Sequence, residues 1–99
     1  MVDFWHEHCS WCLRLNPIIE EVAKVLEEVR FVKLNVLKTP DNRKIAIENG
    51  IMSTPTLMFF CDGRSVSHHL GFLSKDDLKK KIEEVIEEHK TCIRQSTLL

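Results

Sequence analysis

The sequence has no apolar run long enough to cross a membrane. Its longest one covers only residues 57–61, whereas a transmembrane helix needs about 20 predominantly apolar residues. It also has no excess of basic residues, because 14 Lys and Arg stand against 15 Asp and Glu for a net charge of -1. Nucleic-acid-binding proteins usually carry a clear basic excess. The lack of a long apolar run argues against a membrane-spanning protein, and the lack of a basic excess argues against a nucleic-acid-binding one.

Targeting signals and repeats are equally scarce. Asp3, His6 and Glu7 interrupt the first segment of the chain, and no basic stretch leads an apolar one as it would in a secretory signal peptide. No internal repeat, low-complexity run or linker divides the 99 residues. We therefore expect one domain over residues 1–90, a C-terminal tail over residues 91–99 and a cytoplasmic location.

The sequence contains four cysteines, too few for a disulfide scaffold of this length. In a reducing cytoplasm, closely spaced cysteines are more often catalytic or metal-binding than structural. Cys61 ends a predicted buried strand and Cys92 lies in the tail. We expect these two to remain free thiols that act as small apolar residues, without a catalytic role.

Apolar patterning predicts seven elements in the order β-α-β-α-β-β-α, which indicates a small α/β domain with a mixed sheet. The second strand alternates polar and apolar residues, and the third is apolar throughout, as in a strand covered on both faces. Asp62-Gly63 is a hairpin signal between the third and fourth strands. The predicted strands cover residues 2–5, 31–36, 56–60 and 65–70.

Three helices are expected between and after these strands. Apolar residues follow the helical period from Leu15 to Val29, with Pro17 inside the pattern as an expected kink. Thr39 is a predicted N-cap for the second helix, which should stop at Gly50. Ser74 is the predicted N-cap of the last helix.

The chemistry is concentrated at residues 9–12, Cys-Ser-Trp-Cys. Two thiols three positions apart can close a disulfide, and Cys9 lies where the first helix should begin. The unpaired N–H groups and the dipole at a helix N-terminus favour a thiolate, which is the attacking species in thiol–disulfide exchange. Cys12 would then resolve the mixed disulfide. A protonated His6 or His8 would add to the stabilisation of the Cys9 thiolate.

The same region supports an alternative interpretation as a zinc site. His6, His8, Cys9 and Cys12 form an H-x-H-C-x-x-C cluster that contains four side chains of the kind that bind zinc. Against this, the adjacent His8 and Cys9 side chains should diverge at a strand–helix junction.

Several segments together resemble the thioredoxin family. The sequence Val-Asp-Phe-Trp before Cys-x-x-Cys is similar to the family's active-site strand and motif, and Ile-Met-Ser-Thr-Pro-Thr at residues 51–56 resembles its cis-proline segment. Residues 16–21, 33–36, 62–63 and 71–74 also match. The resemblance runs from residue 2 to about residue 89 and implies a thioredoxin fold: a four-stranded mixed sheet with helices on both faces.

The resemblance also implies roles for individual residues. Cys9 would be the attacking cysteine and Cys12 the resolving one, with Asp3 as the buried acid that assists proton transfer and Lys33 beside it. Burial would raise the Asp3 pKa toward a range useful for proton transfer. The Thr54–Pro55 bond would be cis and would face the disulfide. The implied substrate-binding residues are Trp5, Trp11, Thr54, Pro55 and Gly71.

Three features depart from the family pattern. Ser10 and Trp11 stand between the cysteines in place of Gly-Pro, and His6 and His8 precede the motif. The family's first strand and helix have no counterpart, which leaves a glutaredoxin-like minimal core. The strand at residues 31–36 would then have an open edge, and we expect self-association through it.

The resulting prediction is a thiol–disulfide oxidoreductase that reduces protein disulfides without an organic cofactor or metal. Its partners would be disulfide-containing proteins and a thioredoxin-reductase-like or dithiol electron donor. The alternatives are a redox-inactive binding module or truncated fragment, and the zinc site.

Overall fold

The computed structural model describes residues 1–90 and 92, and contains seven elements in the predicted order. The four strands form one mixed sheet in the order β2-β1-β3-β4, in which β1 runs parallel to β2 and antiparallel to β3. This confirms the predicted α/β architecture. The elements are β1 (Val2–Trp5), α1 (Ser10–Val25), β2 (Val32–Asn35), α2 (Pro40–Glu48), β3 (Thr56–Cys61), β4 (Arg64–Leu70) and α3 (Lys75–Glu88).

Helices cover both faces of the sheet. On one face α1 and α3 pack together, and their buried side chains meet Leu57 and Phe59 of β3. On the other face Ala46 of α2 packs against Val2 and Phe4 of β1. Successive residues of β3 therefore face opposite sides of the sheet and pack into different apolar clusters. This explains why the strand is apolar throughout.

Local signals place the starts of α2 and α3 and the hairpin where the sequence predicts them. The Thr39 hydroxyl accepts a hydrogen bond from Asn42 N at 3.0 Å, and the Ser74 hydroxyl accepts one from Asp77 N at 3.2 Å. Asp62 and Gly63 both have positive φ, at 55° and 76°, which matches the type I′ turn that two-residue hairpins favour. No helix in the described ranges is long and apolar enough to span a membrane.

The predicted extension of the first helix to Val29 is wrong. α1 continues through Pro17 but ends at Val25, whose side chain is 60% exposed. Glu27 and Glu28 follow, and carboxylates are unfavourable at the negative end of a helix dipole. Val29 reaches the core through a turn instead and is buried.

The expectation that Cys61 and Cys92 remain free thiols is also wrong. They form a disulfide with a Cα–Cα distance of 6.3 Å, across a sequence separation of 31 residues. The C-terminal end of α3 lies beside the end of β3, since Val85 and His89 border the same small void as Cys61. Apart from Cys92, the predicted tail at residues 91–99 lies outside the described residues.

Candidate active site

The two motif cysteines are joined in a disulfide at the start of α1. Cys9 is the N-cap residue, its Sγ accepts a hydrogen bond from Cys12 N at 3.2 Å, and the two Cα atoms are 5.2 Å apart. Cys12 is fully buried, whereas Cys9 is partly exposed. Only Cys9 is therefore placed to meet a sulfur atom from another molecule, and it lies at the positive end of the helix dipole.

The loop before Cys9 does not assemble the zinc cluster. His8 N donates a hydrogen bond to His6 Nδ1 at 3.2 Å, and Cys9 N donates to the His6 carbonyl at 3.3 Å. Within residues 1–90 and 92, no group of three or more His, Cys, Asp or Glu side chains is arranged to hold a metal ion. The histidines instead take part in the turn that leads into the helix.

Asp3 lies in the centre of the sheet and is 1% exposed. Its register partner on β2 is Lys33. Among the described residues, neither carboxylate oxygen of Asp3 has a hydrogen-bond partner. Burial raises the Asp3 pKa from 3.8 to about 6, and the nearby charge of Lys33 opposes that rise. A buried carboxyl that titrates near neutral pH suits proton transfer.

Asn16 connects Lys33 to the turn of α1 that holds Cys12. With its side-chain amide oriented to satisfy both neighbours, Asn16 donates to the Cys12 carbonyl at 3.2 Å and accepts from Lys33 Nζ at 3.2 Å. Lys33 Nζ also lies 4.2 Å from the centroid of the Trp5 ring. Sequence reasoning missed Asn16, although its i+4 spacing from Cys12 on a helix predicts a shared face.

The Thr54–Pro55 peptide bond is cis, as predicted. Pro55 is fully buried, and its carbonyl accepts a hydrogen bond from Gly71 N at 2.8 Å. Gly71 has φ 101°, a conformation that favours glycine. This hydrogen bond fixes the segment before β3 to the loop before α3, and so brings together three of the predicted substrate-binding residues, Thr54, Pro55 and Gly71.

Exposed apolar side chains flank these loops. Trp11 packs against Phe72 with ring centroids 5.4 Å apart, and Arg14 lies over the Trp11 ring at 4.8 Å. Met52 is 95% exposed and borders an open groove of about 310 Å³ that Thr54 and Ile47 also line. Phe72 was not among the predicted site residues, although it follows Gly71 directly.

Comparisons with known proteins agree with this arrangement. The family model described as Thioredoxin matches residues 1–84. A thioredoxin from Rickettsia bellii is 42% identical over 79 residues, which cover 79% of this chain and 72% of that protein. A thioredoxin from Pyropia yezoensis is 38% identical over 87 residues, 87% of this chain and 78% of the relative.

Solved structures show the same fold. The structure of Plasmodium falciparum thioredoxin superposes with a TM-score of 0.74 at 33% identity, covering 84% of this chain and 81% of that one. The oxidised form of mitochondrial thioredoxin 3 from Saccharomyces cerevisiae gives a TM-score of 0.72 at 29% identity, over 84% of this chain and 74% of that one.

The chain therefore belongs to the thioredoxin family. With a close pair of cysteines at the start of α1 on this fold, it is a thioredoxin-like dithiol–disulfide oxidoreductase.

Proposed function

We propose that this chain reduces disulfide bonds in other proteins, in the cytoplasm, with Cys9 as the attacking cysteine and Cys12 as the resolving one. The observation that carries the proposal is the difference in exposure at the motif: Cys9 is partly exposed at the helix N-terminus, whereas Cys12 is fully buried. A substrate sulfur can reach the first cysteine and not the second.

The reaction takes two exchange steps. The reduced Cys9 thiolate attacks one sulfur of the substrate disulfide, a mixed disulfide forms, and the other substrate sulfur leaves as a thiolate. Cys12 then loses its proton and attacks Cys9 Sγ, which releases the second substrate sulfur. Two electrons pass to the substrate, and the Cys9–Cys12 disulfide seen in the structure is the product.

Asp3 is the proposed acceptor of the Cys12 proton. Its raised pKa of about 6 keeps its two protonation states close in energy at neutral pH. Lys33 moderates that pKa, and Asn16 joins Lys33 to the backbone of Cys12. Lys33 and Asn16 thus connect the surroundings of the buried acid to the helical turn that contains the resolving cysteine.

The proposed substrate-binding surface surrounds Cys9. The extended backbone of a substrate would lie along Thr54 and Pro55, and Trp11 and Gly71 would border it on the other side. Trp5 would support the site from below through its contact with Lys33. An apolar side chain near the substrate cysteine would fit the groove beside Met52.

The test is the reduction of insulin disulfides by dithiothreitol with catalytic amounts of the chain. Cys9→Ser should abolish the acceleration, and Cys12→Ser should accumulate a mixed disulfide that mass spectrometry detects. Brief alkylation of the reduced protein should label Cys9 first. Preferential labelling of Cys12, or near-normal activity of Cys9→Ser, would contradict the assignment.

The physiological electron donor is proposed to be a thioredoxin-reductase-like enzyme or another dithiol. Coupled oxidation of NADPH with a thioredoxin reductase distinguishes the two, because only the first would consume NADPH. If the wild-type chain did not accelerate insulin reduction with any donor, a redox-inactive binding module would be favoured. Self-association through β2 is proposed as a further interaction.

A further inference from the structure

We propose that Cys61 and Cys92 form a second dithiol–disulfide couple, which acts as a redox-sensitive clamp on the C-terminal end of α3. Cys61 is the last residue of β3 and is 2% exposed, and Cys92 follows α3 and is partly exposed. Their bond ties the end of a central strand to the end of the last helix. Neither cysteine belongs to the site around Cys9.

The motif disulfide follows β1, whose Phe4 pairs with Thr56 at the start of β3, whereas Cys61 is at the other end of β3. The strand begins at Thr56, next to the cis Pro55, and ends at Cys61. At about 3.4 Å per residue its ends are roughly 17 Å apart. Thiol–disulfide exchange requires direct contact between sulfur atoms. The two couples therefore do not exchange directly within one molecule.

Charged side chains do little to stabilise the C-terminal end of α3. Its last turn contains no basic residue, while Glu87 and Glu88 place negative charge at the negative end of the helix dipole. The Lys90–Glu87 ion pair, at 3.4 Å, is exposed to solvent and contributes little. The covalent bond to β3 therefore opposes fraying of this end.

The disulfide lies beside a tightly packed part of the core between β3 and α3. Phe59, Val85, Ile86 and His89 line the same void as Cys61, and that void holds only about 10 Å³, too little for a ligand. This region is therefore a packed contact between β3 and α3 and not a small-molecule site. Without the bond, its apolar contacts alone would hold the end of α3.

The reductant in this step is a dithiol such as dithiothreitol. One thiolate of the dithiol attacks the Cys92 sulfur, because Cys61 is buried, and Cys61 leaves as a thiolate and takes up a proton. The second thiol of the reagent then attacks the mixed disulfide, releases Cys92 and becomes oxidised to a disulfide. Two electrons and two protons pass to the pair.

The test uses the full chain with Cys9→Ser and Cys12→Ser, so that only the second couple remains. We expect no free thiols in oxidising buffer and two after dithiothreitol without denaturant. Reduction should accelerate amide hydrogen exchange at residues 85–90 on the order of tenfold, through local opening, and leave β1 unchanged. In the matched control, which also carries Cys61→Ala, dithiothreitol should not alter exchange.

Three results would overturn the proposal. The first is two free thiols in both buffers, which would mean that no couple forms. The second is a disulfide that resists dithiothreitol in the folded protein. The third is reduction without any change in exchange at residues 85–90, which would mean that the bond clamps nothing. Because the motif cysteines are absent from this variant, none of these results depends on the proposed reductase activity.

Discussion

Burial of the charged Asp3 carboxylate costs folding free energy, and the nearby charge of Lys33 offsets only part of that cost. The side chain is buried in the middle of the sheet, and its pKa is raised to about 6 because burial disfavours the charged carboxylate. The folded state therefore holds a proton more tightly than the unfolded state, in which the pKa is near 3.8. Stability from this residue is greatest below pH 4 and falls as pH rises through 6.

Replacing Asp3 by Asn should remove this pH dependence. Because one pKa unit corresponds to about 1.4 kcal/mol, the unfolding free energy of Asp3→Asn relative to wild type should increase by about 3 kcal/mol between pH 3.5 and pH 7.5. Urea denaturation of both oxidised proteins at several pH values measures the difference, in which other titrating groups cancel. A difference that stays constant with pH would show that Asp3 titrates normally.

Asn16 should influence Asp3 through Lys33. Asn16→Ala removes the acceptor that holds Lys33 Nζ, so the ammonium should lower the Asp3 pKa less than it does in wild type. Lys33→Met removes the charge altogether and should raise the pKa further. NMR titration of the Asp3 carboxyl should give the order wild type, Asn16→Ala, Lys33→Met from lowest to highest pKa. An Asn16→Ala value at or below wild type would exclude the connection.

Helix starts and turns could be predicted from the sequence because their determinants are local. The Thr39 and Ser74 caps each accept a hydrogen bond from a residue three positions later, so the whole interaction lies within one short segment. The Cys9–Cys12 pair is local in the same sense. Asp3 could be identified from the resemblance to the thioredoxin family, and its position between the apolar Val2 and Phe4 agrees with burial in a central strand.

Features that depend on packing between distant elements could not be predicted in this way. The contact of Asn16 with Lys33 joins α1 to β2, and the Cys61–Cys92 disulfide joins β3 to the chain after α3. Neither spacing carries a periodic signal. The end of α1 was overestimated for a related reason: Val29 is buried, as its apolar character suggests, but a turn and not a helix brings it there.

The strand β2 is an edge of the sheet and invites pairing with another chain. In the described residues β1 is its only partner, and Val32 on this strand is 39% exposed. We expect concentration-dependent association that Val32→Lys weakens, because an edge lysine opposes strand pairing. Sedimentation over a concentration series measures it, with Ser67→Lys on the other edge strand, β4, as the control.

A strict monomer at all concentrations would refute association through β2. Equal weakening by Val32→Lys and Ser67→Lys would also refute it, since the effect would then reflect net charge and not the edge. Hydrogen exchange gives an independent readout, because pairing should protect β2 amides as concentration rises while β4 amides stay the same.

Three exposed apolar side chains lie beside the candidate active site. Trp11 and Phe72 pack against each other next to Cys9 and Gly71, and the 95% exposed Met52 precedes the cis Pro55. Apolar patches of this kind mark contact surfaces, and aromatic residues often contribute most of the binding energy. The partly exposed Cys9 sulfur lies beside these side chains, which is where we propose that a substrate protein binds.

Truncation of the aromatic pair should therefore affect large substrates selectively. Trp11→Ala and Phe72→Ala should each lower kcat/KM for insulin reduction about 5- to 30-fold, the equivalent of about 1–2 kcal/mol of lost contact energy. Reduction of a small aromatic disulfide, which does not cover this surface, should change less than about twofold. The matched control is Val25→Ala, which truncates an apolar side chain that is 60% exposed at the far end of α1 and should leave both rates unchanged. Equal losses with both substrates would place Trp11 and Phe72 in support of the cysteines and not in substrate contact.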